Sequence, residues 1–285
     1  MSGLKPLIKY RGGKSKEIVF FEDLIPTNYS RYVEPFFGGG SVFFHLLPQK
    51  AIVNDLNSKL IGFYKGVRNH YDDLMSDLHR IEGLYKENQQ CFDSQKKISN
   101  GSFCENSNEA LYYRLRDMFN GKINSEYTEA ALYFFINKTS YSGMIRYNTK
   151  GEYNVPFGRY KNFSVSGVTN QHVKILKKAQ LFNLDYAKIF DKCQENDFVF
   201  IDPPYDCIFT EYGNLNGLDF NEERQRQLAE DFKNLSCKAM IVIGNTPLIS
   251  ELYQGYIRRE YHKKYAVNIR NRFKSQANHL VITNY

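Results

Sequence analysis

The sequence predicts an α/β fold, an open Rossmann-like sheet interrupted by a helical and β-hairpin insertion. Three observations predict it. Residues 31–47 read as strand, glycine-rich turn and helix, with Gly38, Gly39 and Gly40 at the turn, the opening βα unit of a nucleotide-binding sheet. Residues 197–201, Asp-Phe-Val-Phe-Ile, form an apolar strand that Pro203 and Pro204 must end, because proline gives no ladder donor and fixes its own φ. Between them lies a long stretch of helical periodicity. The sheet is therefore expected from residues 1–57 and 166–285, with residues 58–165 inserted.

The elements follow in order. Residues 6–14 are a short extended piece entering a Gly12-Gly13 turn, and a helix is predicted over 15–24. Glycines let backbone N–H groups approach a ligand, and a helix amino terminus favours an anion. Lys14 adds a positive charge. The spacing is neither that of a P-loop nor that of a dinucleotide fingerprint. Ala51-Ile52-Val53 is a second strand ending in Asn54-Asp55, an acid at a strand tip where such folds hold ribose hydroxyls. Leu60, Phe63, Tyr64 and Val67, then Leu74, Leu78 and Ile81, mark two helical faces. Residues 87–108 are polar and predict a loop, and helices resume over 108–119 and 127–138.

Aromatic and β-branched residues on both sides of Thr149-Lys150-Gly151 predict a β-hairpin over 141–160. Arg146, Lys150, Arg159 and Lys161 make it basic, and a two-stranded ribbon fits the DNA major groove. The α/β pattern then resumes with a helix over 169–178, a strand over 180–184 ending in Asp185-Tyr186, and the strand ending in Asp202. A polar loop over 206–218, a helix over 221–235 and a strand over 238–243 come next. An alternating segment over 256–265, a basic stretch over 268–276 and a last strand over 279–283 complete the chain.

Composition sets bounds. Of the 285 residues, 42% are hydrophobic and 24% charged, the balance of a globular protein. No apolar run nears the roughly 20 residues of a membrane helix, and the first residues lack a signal-peptide core; a cytoplasmic location is expected. A net charge of +7 fits a polyanionic partner. Five cysteines without a C-x-x-C pair predict free thiols and no zinc, and the scattered histidines predict no metal site.

Asp202 stands at the carboxyl end of a buried strand, the edge where open α/β sheets bind ligands. Asp202, the carbonyls of Pro203 and Pro204 and the ring of Tyr205 should line one crevice. A purine's exocyclic amino group is a poor nucleophile, because its lone pair is delocalised into the ring. Two acceptors on its N–H bonds can direct that lone pair at an electrophile. Asp202 and the Pro203 carbonyl supply them, and Tyr205 can stack on the base.

Lys9-Tyr10-Arg11-Gly12-Gly13-Lys14, Glu34-Pro35-Phe36-Phe37-Gly38-Gly39-Gly40-Ser41, Asn54-Asp55, the 141–160 segment, Asp185-Tyr186 and Asp202-Pro203-Pro204-Tyr205 together resemble a known family. It is the Dam-type DNA adenine-N6 methyltransferases of bacteria and phages, alpha group, which includes restriction-modification methylases. The resemblance implies S-adenosylmethionine held by Tyr10, Lys14, Phe36, Gly38, Gly40, Asp55 and Asp202, with Asp185 and Tyr186 beside its adenine. It implies Asp202, Pro203, Pro204 and Tyr205 as the catalytic group. Lys9, Met144, Arg146 and Pro156 become base contacts, and Tyr141 and Ser142 sit where the duplex is opened. Arg159 and Tyr160 complete the DNA-facing set, with phosphate partners expected among Lys150, Arg159, Lys161, Arg270, Arg272 and Lys274.

The implied activity is methyl transfer from S-adenosylmethionine to N6 of a flipped-out adenine in duplex DNA, at GATC or a related site, by a monomer needing neither metal nor membrane. A cognate restriction endonuclease in the same system, without a stable complex, is left open. The alternatives are methylation of RNA or of a protein glutamine, whose amino groups are also planar, and a non-catalytic DNA-binding protein. The basic hairpin favours duplex DNA, since the deep major groove of A-form RNA is poorly accessible.

Overall fold

The computed structural model describes residues 3–99, 104–205, 220–264 and 276–285. The predicted 206–218 loop, Cys207, and Arg270, Arg272 and Lys274 lie outside the described residues. Seven strands form one sheet: β1 (Arg31–Glu34), β2 (Ala51–Asn54), β3 (Ala179–Phe182), β4 (Asp197–Ile201), β5 (Lys238–Gly244), β6 (Ile257–Lys264) and β7 (Gln276–Thr283). Their order is β3-β2-β1-β4-β5-β7-β6. The first five are parallel, while β7 runs antiparallel to β5 and β6 antiparallel to β7. This is the mixed α/β, mostly parallel sheet of a methyltransferase-type fold.

Strand residues alternate between two cores, as a pleat requires. Tyr32, Phe198, Phe200, Met240 and Val242 enter one, and Val33, Val199, Ile201, Ile241 and Ile243 the other. Covered on both faces, β4 and β5 can be apolar beyond their first residues, Asp197 and Lys238, and each fully buried large side chain contributes about 1.5–3 kcal/mol. The first core runs on without a break into α2 (Ser58–Asn69), α3 (Tyr71–Ile98), α4 (Ser107–Phe119) and α5 (Glu129–Thr139). Among the described residues, 58–165 contribute no strand to the sheet. Asn57 caps α2 by accepting from the Leu60 N–H at 3.1 Å, which turns the chain from the tip of β2 into that helix.

Three expectations are corrected. The polar run over 87–108 is not a loop for most of its length, since α3 continues to Ile98. Its Glu, Gln and Lys residues are good helix formers, and its half-buried face is Asn88, Gln89, Phe92 and Asp93, too polar to show as an apolar stripe. Residues 15–24 form three short 3-10 turns, Lys14–Lys16, Ile18–Phe20 and Glu22–Leu24, instead of a helix. Their side chains are claimed by β6: Glu17 accepts from the Tyr261 hydroxyl at 2.8 Å, Phe20 stacks on Tyr261, and Arg259 forks onto Asp23 at 2.7 and 2.8 Å.

The 141–160 segment is a looser hairpin than predicted, with two isolated antiparallel bridges, Ser140 with Phe157 and Tyr147 with Tyr153. The returning limb bonds to α4 and the residue after it. Asn120 pairs with both the N–H and the carbonyl of Tyr153 at 2.8 and 3.0 Å, and the Tyr112 hydroxyl donates to the Val155 carbonyl at 2.8 Å. The cross-strand bonds run from the Asn148 N–H to the Glu152 carbonyl at 2.9 Å and from the Asn154 N–H to the Arg146 carbonyl at 3.2 Å, so the groups of Tyr153 and Val155 that α4 and Asn120 take are those facing away from the other limb.

The remaining short helices are α1 (Ser41–Leu46), α6 (Asn170–Leu176), α7 (Tyr186–Phe190) and α9 (Pro247–Leu252), with α8 (Glu222–Lys233) longer. From β1 the chain builds outward through β2 to β3, and β4 and β5 lie on the other side of β1. The switch point between β1 and β4 opens a crevice at their carboxyl ends.

Candidate active site

A cleft with roughly 1040 Å³ of empty space, part of it open solvent, lies at this switch point. Its walls come from residues 10–14, the loops after β1, β2, β3 and β4, and the start of α8. Buried Asn54 ties three of these loops together. Its amide donates to the carbonyls of Pro35 and Leu184 at 2.9 Å each, and its oxygen accepts from the Leu184 N–H at 2.8 Å.

The glycine loop is shaped by contact. Gly38 has φ +49°, and a Cβ there would lie 2.7 Å from the Tyr10 ring, so only glycine lets Tyr10 lie against the loop. The Gly38 N–H donates to Asp55 at 2.8 Å, and the Asn57 N–H donates to the other Asp55 oxygen at 2.9 Å. Burial raises the Asp55 carboxyl above its ordinary value, and these two bonds pull it back. Each oxygen keeps acceptor capacity for hydroxyls.

Opposite Asp55, the rings of Phe36 and Tyr186 lie 5.4 Å apart and Phe220 stands edge-on to Phe36 at 5.6 Å. The Arg224 guanidinium pairs with Asp185 and lies 5.1 Å from the Tyr186 ring centre. These three rings and the cation all line the cleft, an aromatic wall of the kind against which a planar heterocycle packs.

The other end of the cleft holds the motif after β4. Lys14 is 1% exposed, and its three ammonium donors meet three acceptors: the Asp202 carboxylate, the Tyr205 hydroxyl at 2.9 Å and the Gly12 carbonyl at 3.1 Å. Burial raises the Asp202 carboxyl, against the pull of Lys14. Behind Tyr205 the His279 ring stands edge-on at 5.4 Å. His279 and Lys263 both contact Glu17, at 2.9 and 2.6 Å. Burial alone would raise the Glu17 carboxyl, but His279, Lys14 and Lys263 outweigh it and hold it at about 2.

Every residue that the sequence assigned to the cofactor and to catalysis lines this cleft. The residues assigned to DNA lie on or beside the 141–160 segment. Tyr141 is 60% exposed, Ser142 sits at φ +57°, and Pro156 is exposed. Met144 sulfur accepts from Arg11 at 3.1 Å. Lys9 donates to the Lys138 carbonyl at 2.8 Å and stacks over Tyr160 at 3.7 Å. Arg146 is held by Asn154 through Nε at 2.8 Å. Arg159, also at positive φ, is exposed with Glu109 3.9 Å away.

Sequence reasoning gave no role to Glu34, Asn54, Phe220, Arg224 or Gln225. Glu34 carried a usable signal, an acid ending a strand as Asp55 and Asp202 do. Burial raises its carboxyl well above the ordinary value, although the Tyr32 hydroxyl donates to it at 2.8 Å. Phe220, Arg224 and Gln225 carried none beyond lying at the start of the helix after the Asp-Pro-Pro-Tyr loop.

A mostly parallel sheet with a glycine loop, strand-end acids and Asp-Pro-Pro-Tyr at its switch point defines a methyltransferase. The sequence profile of the D12 class N6 adenine-specific DNA methyltransferases matches residues 10–269. The chain is 35% identical over 289 residues to the type II methyltransferase M.CviBI of Paramecium bursaria Chlorella virus NC1A, covering 99% of this chain and 100% of that one. It is 31% identical to the type II methyltransferase M.MjaIII of Methanocaldococcus jannaschii, covering 99% of each. Identity to the DNA adenine methylase of Salmonella typhi is 30%, over 88% of this chain and 84% of that one. The chain therefore belongs to the D12 class of adenine-specific DNA methyltransferases.

Proposed function

We propose that this methyltransferase moves a methyl group from S-adenosylmethionine to N6 of an adenine flipped out of duplex DNA, by direct transfer without a covalent enzyme intermediate. The observation that carries this reading is the place of Asp202, in one cleft with Asp55, whose wall residue Arg11 also contacts Met144 of the 141–160 segment. The cleft fits the methyl donor: Asp55 suits ribose hydroxyls, the aromatic wall of Phe36, Tyr186 and Phe220 suits its adenine, and the 10–14 and 36–40 segments line the cleft beside them. When bound, S-adenosylmethionine supplies an already activated, positively charged methyl donor.

The chain's own residues do the rest. Asp202 and the Pro203 carbonyl accept the two N–H bonds of the target amino group and aim its lone pair, so positioning and local charge supply the acceleration. Extruding the base costs a few kcal/mol, and stacking on Tyr205 recovers part of it. Lys14, which holds both Asp202 and Tyr205 in this structure, keeps them in one arrangement and must share Asp202 with the incoming amino group.

Residues 1–57 and 166–285 act as the catalytic unit and 58–165 as the recognition unit. Lys9, Tyr141, Ser142, Met144, Arg146, Pro156, Arg159 and Tyr160 face the DNA. Arg146 reads a guanine, for which its fork can exchange Asn154 for O6 and N7. The viral and archaeal relatives are named type II methyltransferases, which supports a place in a type II restriction-modification system; GATC or a related site is the target we propose from the resemblance alone.

Transfer of labelled methyl from S-adenosylmethionine to duplex DNA, RNA and protein tests the reading in one assay, and sequencing the modified DNA gives the site. Label is expected on adenine N6 of duplex DNA only, and lost in Asp202→Ala. Label on RNA or protein, or a wild-type rate in Asp202→Ala, would overturn it.

A further inference from the structure

We infer that Gln225 is a positioning residue for the Asp-Pro-Pro-Tyr turn: its side chain sets the peptide plane from which Tyr205 projects. Gln225 lies in the first turns of α8 and is fully buried. Its Nε2 donates to the Pro204 carbonyl at 2.8 Å. Its Oε1 is also buried and, among the described residues, has no partner.

The geometry gives this bond a specific task. Pro203 and Pro204 have no backbone N–H, so neither can anchor the turn as a donor. Proline also locks φ, which leaves ψ of Pro204 as the soft torsion between the Pro203 carbonyl and Tyr205. The orientation of the Pro204 carbonyl reports that torsion, and a donor fixed on a buried helix holds it. Turning the amide over would set Oε1 against the Pro204 oxygen, two acceptors face to face, so only one orientation of Gln225 serves. A buried amide with one end unpaired is unfavourable as packing, which points to the bonded end as the reason for a glutamine at this position.

The neighbouring residue separates two roles. Arg224 pairs with Asp185 and lies over Tyr186, on the methyl-donor side of the cleft. Gln225 touches the catalytic side. Consecutive residues of one helix thus hold the two halves of the cleft, and their substitutions should move different constants.

The proposal rests on the reading of Asp202 and Tyr205 given above. The test is single-turnover methylation of duplex DNA at saturating S-adenosylmethionine, with the dissociation constant for S-adenosylmethionine measured separately. Gln225→Met keeps the volume and removes the donor; Gln225→Asn keeps an amide but withdraws it from the carbonyl. Methyl transfer is expected to slow at least tenfold in Gln225→Met, with a smaller loss in Gln225→Asn, while affinity for S-adenosylmethionine stays within twofold of wild type. Arg224→Ala should instead weaken affinity for S-adenosylmethionine.

With 2-aminopurine as the target base, Gln225→Met should also give a fluorescence different from wild type, because Tyr205 no longer meets the extruded base in one orientation. A folded Gln225→Met that methylates at the wild-type rate overturns the proposal. So does loss of folding in both variants, which would assign the side chain to the architecture alone. Failure of the wild-type protein to methylate DNA would instead remove the reading on which the proposal rests.

Discussion

The Lys14–Asp202 pair lends itself to a double-mutant cycle. Lys14 is buried with all three donors used, and Asp202 is the one charged group among its acceptors. Asp202→Asn leaves the ammonium buried against neutral acceptors. Removing one partner of a buried pair costs about 3–5 kcal/mol, and the low end applies because the Asp202 side chain is 21% exposed. Lys14→Met leaves a carboxylate that can take up a proton or meet water at the mouth of the cleft, so a loss of about 2 kcal/mol is expected.

Two independent losses would sum to about 5 kcal/mol, whereas the double variant replaces the pair with neutral groups and should lose only about 2 kcal/mol, a coupling of about 3 kcal/mol. Equilibrium urea unfolding of the four proteins at pH 7 measures it. All three variants should be inactive, which separates the stability question from catalysis. Additivity within about 0.5 kcal/mol would refute the reasoning, because it would mean that the charges do not depend on each other in the folded protein.

Three further outcomes are expected. Glu34 has its folded value raised well above that of the unfolded chain, so the native state keeps a proton that the unfolded state releases. Its contribution is full below about pH 4 and is lost as pH rises towards the folded value; Glu34→Gln should remove that slope in urea midpoints compared between pH 5 and pH 8. Arg146→Ala should cost about 1–3 kcal/mol at one base position, seen as relaxed specificity when DNAs differing at single positions compete; an equal loss on all DNAs would mark a phosphate contact. Ser142 sits at φ +57°, ψ 15°, a region that costs residues with a Cβ about 1–2 kcal/mol and that Asn tolerates best. Ser142→Asn should therefore unfold at the wild-type urea midpoint or slightly above, and Ser142→Val below it.

Much of the sheet and the cleft could be read from the sequence because each piece is local. Asp202 is pinned to a strand end by two prolines, Asp55 by the short β2, and the glycine loop by its own composition. What could not be read depends on contacts distant in sequence. Nothing near residue 17 announces that Glu17 will be drawn to Lys263 and His279, so a pattern that suits a helix folds as 3-10 turns. Nothing near Tyr153 announces that Asn120 will take both its backbone groups and tie the returning limb to the end of α4. Over 87–98 the half-buried face of α3 is mostly polar, with Phe92 its one apolar side chain beside Asn88, Gln89 and Asp93, so no hydrophobic period marks the helix there. Phe220, Arg224 and Gln225 matter only through where α8 begins over the cleft.

The clasp between residues 17–23 and β6 bears on the birth of the protein as well as on its fold. Tyr261 and Arg259 are separated by 244 and 236 positions from the groups they hold, and Lys14 by 188 from Asp202. Closing such loops comes late, since chain entropy must be spent before the contact returns anything. A ribosome delivers the amino-terminal segment first, and that segment has no seat until β6 has left the exit tunnel. The Lys14 loop therefore stays unplaced until that strand emerges. A nascent chain whose β6 is still enclosed has no seated Lys14 loop, so activity should begin abruptly once that strand is free instead of growing with length.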